Sequence, residues 1–171
     1  MRKGVVFLFF IFVLTGCSFT GHATLEEAVQ SRWDTPIKVV NQDSEKHLVY
    51  YLDYDQHVIG TYEFRDGKYF YDNKQSEGMR FTSASGLPFY IQYKYFEGSG
   101  DIVYGAITTE DYQVEKFVIH YKSGEIQEIN AENNTFMSEI PPNVDPRDFM
   151  SQIDTVYGYD KNGEVIESMD Y

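Results

Sequence analysis

The pattern of apolar and polar positions divides the chain into three regimes. Residues Val5 to Leu14 run without a polar side chain, directly after the charged pair Arg2-Lys3. This run is well short of the ~20 residues a helix needs to span a bilayer. From Thr24 the period becomes helical, with Leu25, Ala28, Val29 and Trp33 recurring along one stripe. Thr24 and Glu27 have the spacing of a capping box, and Pro36 closes the pattern because the residue before a proline disfavours the α region. The spacing predicts an amphipathic helix over Leu25–Trp33.

From Ile37 the period falls to two. Ile37–Val40, Leu48–Leu52, Val58–Phe64 and Lys68–Tyr71 read as four strands, the last two joined through Asp66-Gly67, a dipeptide suited to a type I′ hairpin turn. Residues 72–88 are rich in Ser, Gly, Asn and charge and read as a long loop. Further strands are predicted at Phe89–Phe96, Ile102–Ile107, Val114–Tyr121, Glu125–Asn130, Thr135–Ile140, Ile153–Tyr159 and Glu164–Glu167, with one helical turn at Asp148–Gln152. Short strands at near-regular spacing with Gly-containing turns predict an antiparallel sandwich of immunoglobulin-like character. The expected fold is therefore mainly β (α+β), a helix packed on a small antiparallel meander followed by that sandwich. The expected organisation is a signal at 1–16, a tether at 17–23, the helix and meander at 24–86 and the sandwich at 87–171.

The N-terminal regime is tripartite: two positive charges, an apolar stretch, then Leu14-Thr15-Gly16-Cys17. This last tetrad resembles the lipobox of bacterial lipoproteins. There, small residues let the peptidase grip an extended segment, and the cysteine thiolate accepts a diacylglyceryl group. Cys17 is the one cysteine of the chain, so an unlipidated exported form would carry an unpaired thiol. Together with Leu25-Glu26-Glu27-Ala28, Leu48-Val49-Tyr50-Tyr51, Val103 to Ile107, Val114 to Val118 and Tyr159 to Ile166, the motif is similar to small lipoproteins of Bacillus and related Firmicutes. That resemblance implies a Gram-positive envelope location, on the extracytoplasmic face of the cell membrane, and carries no catalytic signature.

Charge narrows the partners. The formal net charge is −13, and removal of Arg2 and Lys3 with the signal makes it more negative by two. Such a surface is repelled by nucleic acid, whose binding requires neutralised phosphates, and by anionic headgroups, so the lipid must hold the protein at its membrane. Aromatic residues make up 17% of the chain, with fifteen Tyr, which suits half-buried strands.

Candidate chemistry is sparse. Asp53, Asp55 and His57 alternate as on one strand face, the arrangement closest to a metal site, but no second histidine or cysteine cluster supports zinc. Asp160 to Glu164 lacks the full calcium loop and reads as a hairpin turn. Ser83, Ser85 and Ser99 lie outside a nucleophile elbow, and Gly98-Ser99-Gly100 is followed by no phosphate-loop lysine. The pairs Glu26-Glu27 and Glu110-Asp111 diverge, so a carboxylate site would have to be assembled by the fold. No cofactor or metal is expected. Strand Phe89–Phe96 carries rings on both faces; Tyr90, Lys94 and Phe96 form the candidate binding surface, unless the helix Leu25–Trp33 covers it. The expected function is a non-catalytic binding module for an envelope protein or cell-wall component. A cell-wall hydrolase using converged carboxylates and a lipid-tethered sensor or inhibitor are the alternatives.

Overall fold

The computed structural model describes residues 21–80, 87–108 and 112–171. Its first element, α1 (Leu25–Gln30), begins with the predicted capping box: Thr24 Oγ accepts from the Glu27 amide at 3.2 Å, and the Glu27 carboxylate accepts from the Thr24 amide at 3.3 Å. The helix stops three residues before the expected end. Beyond Gln30 the chain tightens, Arg32 N donating to the Val29 carbonyl and Trp33 N to that of Gln30. The Gln30 side chain then clips this turn to the first strand, donating to the carbonyls of Trp33 and Thr35 and accepting from the Ile37 amide.

Five strands follow: β1 (Ile37–Asp43), β2 (Leu48–Asp53), β3 (Gln56–Arg65), β4 (Lys68–Tyr71) and β5 (Glu77–Arg80). They form one antiparallel sheet in the order β1-β2-β3, with the far edge of β3 shared by two short strands. β4 pairs with Tyr62–Arg65 and β5 with Gln56–Ile59. The β3–β4 turn has φ of +53° at Asp66 and +72° at Gly67, as a type I′ hairpin requires. Strand β5 lies where the sequence reads as loop. Its four residues carry no apolar alternation, and they become a strand because β4 leaves half of β3's edge open.

The remaining strands form two sheets, joined antiparallel throughout. β6 (Phe89–Phe96), β7 (Gly100–Ile107) and β10 (Thr135–Glu139) are ordered β10-β7-β6. β8 (Lys116–Tyr121), β9 (Ile126–Asn130), β11 (Ile153–Tyr159) and β12 (Val165–Asp170) are ordered β12-β11-β8-β9. Between β10 and β11 lie a 3₁₀ turn at Pro146–Asp148 and α2 (Phe149–Gln152), the predicted helical turn. In an immunoglobulin constant-type domain the fourth strand joins the sheet of the first, second and fifth. Here the fourth of the seven, β9, stays beside the third, β8. The Lys122-Ser123-Gly124 turn, with Gly124 at φ +88° and its amide on the Tyr121 carbonyl at 2.8 Å, is too tight to cross the ~10 Å between packed sheets.

The architecture is thus mainly β with a small N-terminal helix, as the patterning predicts. Three apolar layers hold it. Leu25, Ala28 and Val29 of α1 pack on Val49, Tyr51 and Tyr71 of the first sheet. The opposite face of that sheet, through Leu48, Tyr50 and Ile59, meets Tyr90, Phe96 and Tyr104 of the second. The second sheet's other face, through Phe89, Val103 and Phe136, meets Phe117, Ile119 and Val156 of the third. Both faces of the second sheet are therefore buried, which explains the rings on both sides of Phe89–Phe96. The cover over its second face is the first sheet itself; α1 lies on the far side of that sheet.

Candidate functional site

The residues singled out from the sequence are scattered by the fold. Leu14, Thr15, Gly16 and Cys17 lie outside the described residues, as do Ser83, Ser85, Glu110 and Asp111. Tyr90 and Phe96, expected at a binding surface, are 7% and 2% exposed and sit between the first and second sheets. Lys94 is drawn to Glu77 at 2.6 Å, its ammonium 5.5 Å from the Phe96 ring centroid. The strand's outward ring is Tyr95, 60% exposed. The aromatic platform is therefore corrected to an internal layer: alternation identified two apolar faces, and another sheet lies against the one read as a surface.

Asp53 and His57 do not converge. Tyr54 and Asp55 form the two-residue turn between β2 and β3, so Asp53 is paired with Gln56 and His57 with Leu52. Asp53 lies on the α1 side, accepting from the Thr35 hydroxyl at 2.6 Å, while His57 lies on the opposite side against Tyr50. Among the described residues, no group of three or more His, Cys, Asp or Glu side chains is placed to hold a metal ion. Asp160 is consumed by its turn, its Oδ1 accepting from the amides of Glu164 and Asn162 at 2.9 and 2.8 Å. Those bonds hold its carboxyl below the ordinary range.

A polar cluster is buried within the layer between the first and second sheets. His57 Nδ1 is 3.1 Å from the Tyr50 hydroxyl, and the Tyr50 and Tyr104 rings meet edge-on at 6.3 Å. Burial lowers the His57 imidazole to about 4 and raises Tyr90 to about 12. Tyr50 and Tyr104 are likewise raised by burial. At neutral pH all four are uncharged, and they form a hydrogen-bonding part of the core. The lowered imidazole fixes a pH dependence. Between the unfolded value of 6.5 and the folded value of about 4, the unfolded chain binds the proton and the folded chain does not. Stability should fall as pH drops through that window, and His57→Gln should flatten the slope in a series of thermal melts.

Among the described residues the fold assembles a groove of about 320 Å³ between the β3–β4 end of the first sheet and the β6–β7 turn. Lys46, His47, Tyr62, Glu63, Phe70 and Asp72 line it, with Glu97 to Ser99 closing one side. The closing turn is fixed: Gly98 has φ +84°, and Ser99 Oγ donates to the Lys46 carbonyl at 2.7 Å. Lys46 is held by Glu139 at 2.6 Å, and the Tyr62 hydroxyl accepts from Gln42 at 2.7 Å. His47, at φ +55°, stands edge-on to Tyr62 with centroids 5.4 Å apart. Sequence reading missed this site because its walls come from four separate stretches of the chain. The available signal was the Gly98-Ser99-Gly100 turn, whose conformation suits it to wall building.

Comparison of the chain with family models, with curated proteins and with solved structures finds no match in any of the three.

Proposed function

We propose that the chain is a membrane-anchored extracytoplasmic lipoprotein whose β-rich body binds a component of the cell envelope without transforming it. The observation that carries this reading is the N-terminal series of Arg2-Lys3, the apolar run Val5 to Leu14 and Leu14-Thr15-Gly16-Cys17. In this reading residues 1–16 are cleaved, Cys17 is lipidated, and 17–23 tether two parts. These are the helix and meander of 24–86 and the immunoglobulin-like sandwich of 87–171, a description supported by the antiparallel β10-β7-β6 sheet facing the sheet of β8, β11 and β12, with β9 as the strand that departs from the constant-type order. Each buried methylene of an acyl chain contributes ~0.8 kcal/mol, so a doubly acylated cysteine holds an acidic body that charge alone would repel. The groove supports the binding role. It sets the Phe70 ring, which carries Arg65 over it, beside the carboxylates of Glu63, Asp72 and Glu97. That combination suits a polar, hydroxyl-bearing ligand with a cationic group.

The anchor is tested by Cys17→Ser with metabolic labelling by a clickable fatty acid. Label is expected on the parent and none on the variant, which should remain as precursor or be shed; label persisting on the variant sinks the reading. The three groove carboxylates favour one second reading, a wall hydrolase. Cross-linking of the lipidated protein in its native membrane should recover an intact envelope partner if the body binds. Release of soluble wall fragments that stops with Glu97→Gln would establish the hydrolase instead.

A further inference from the structure

The start of the described chain is not loose against the body. His22 pairs with β4, its amide donating to the Tyr69 carbonyl at 2.9 Å and its carbonyl accepting from the Tyr69 amide at 3.0 Å. Gly21 is seated so closely that a Cβ there would lie 2.5 Å from the Phe70 ring and 2.8 Å from Lys68 Cβ. Between Cys17 and Gly21 there are four Cα–Cα steps, which reach at most ~14 Å when fully extended. A lipid on Cys17 would therefore bring the membrane surface close to one particular face, that of β4 and its hairpin partner β3.

The residues around the tip of that hairpin, drawn from both its faces, suit a lipid surface. Phe64 is 51% exposed and stacks on Tyr69, with centroids 4.7 Å apart. It is paired across the hairpin with Tyr69, which in turn is bridged to His22. With neighbouring strands ~4.8 Å apart, the ring stands about two strand spacings, ~10 Å, from the point where the tether docks. On the opposite face of the hairpin Arg65 lies over the Phe70 ring at 4.3 Å and pairs with Glu63 at 3.2 Å, and Lys68, paired with Arg65 across the turn, is exposed, so the two cations flank Phe64 across the hairpin tip. Arg65 and Lys68 offset Glu63 and Asp66, so the hairpin is formally neutral in a chain of net charge −13. Of the aromatic residues from Tyr62 to Tyr71, Tyr62 and Tyr71 are buried in the core, and Phe64 is the ring the hairpin exposes. Aromatic rings flanked by Arg and Lys favour the headgroup region, where the ring enters the acyl boundary and the cation stays at phosphate level. The β11–β12 turn and β12, by contrast, carry Glu164, Glu167 and Asp170.

From this juxtaposition we infer that the β3–β4 hairpin is a membrane-docking surface, with Phe64 entering the interface and Arg65 and Lys68 meeting lipid phosphates. The inference rests on the reading of Cys17 as lipidated and goes beyond it. The lipid retains the protein, and the hairpin fixes its orientation, with the first sheet toward the bilayer.

The test uses the lipidated full chain reconstituted in vesicles of phosphatidylglycerol and phosphatidylethanolamine containing chain-brominated phosphatidylcholine. Phe64→Trp is compared with Val165→Trp, both at exposed positions, after subtraction of the Trp33 signal from the parent protein. Flotation of the same vesicles reports the anchor independently. Brominated lipid is expected to reduce the emission at position 64 by ~twofold or more, since docked rings lie ~5–10 Å deep, and to leave position 165 unchanged. Protein that floats with position 64 quenched no more than 165 overturns the docking surface and leaves the anchor standing. Protein that does not float overturns the anchor, and the docking surface with it.

Discussion

Gly105→Ala is expected to destabilise the protein by about 3 kcal/mol or more, at the upper end of what overpacking costs. The new methyl would fall on the Tyr90 carbonyl oxygen and lie 2.7 and 2.8 Å from two carbons of the Phe136 ring. Neither obstacle yields cheaply. Tyr90 contributes backbone from the paired strand β6, so no rotamer change removes it. Phe136 is paired directly with Gly105 across β10 and is backed by Phe117, ring centroids 4.6 Å apart. A chain of this size loses ~2–4 °C of Tm per kcal/mol, so the drop should approach ~10 °C. Gly105→Ala is best read by urea unfolding followed through Trp33 fluorescence, with a lower midpoint and an unchanged slope. A midpoint equal to the parent's would show that the second sheet can open at Gly105.

Phe117→Ala should destabilise by about 3–5 kcal/mol, for the opposite reason. Phe117 is fully buried and packs against Phe89 at 5.9 Å as well as Phe136, so its removal leaves a void walled by two other rings. The same unfolding measurement applies, and a loss below ~1 kcal/mol would mean that the two sheets close over the gap. The two substitutions share Phe136 and should not add. With Phe117 gone, Phe136 has room to retreat from the alanine at position 105, so the double variant should lose less than the sum of the single losses. The cost of Gly105→Ala measured in the Phe117→Ala background then reports chiefly the clash with the Tyr90 carbonyl.

The fold was legible wherever a local rule had one physical solution. Strands β4, β6 and β11 have the residue limits that alternation predicts, the capping box of Thr24 and Glu27 forms, and Asp66-Gly67 makes the turn its positive φ values demand. What was not legible depended on partners distant in sequence. Glu77–Arg80 became a strand because β3 is longer than β4. Gln30 shortened α1 because Ile37 offered its side chain a backbone amide. Tyr90 and Phe96 illustrate the limit most clearly: a period of two states that both faces of a strand are apolar, yet water and a second sheet leave different uses for the same rings. The groove was out of reach for a similar reason, since Lys46, Phe70 and Glu97 share no motif and meet through the packing of the β6–β7 turn against the first sheet.

The pairing of His22 with Tyr69 has a mechanical consequence. Tension applied through the leading segment enters the body at Gly21 and is carried first by two backbone hydrogen bonds, of 2.9 and 3.0 Å, on the outer edge of β4. Behind them stand the Thr24–Glu27 cap and then the buried stripe of α1. The bridge can peel while that stripe still holds, adding ~10 Å of slack at ~3.5 Å per released residue. The first sheet stays intact, so a sudden pull is absorbed by extension at the edge before it reaches the packed layers.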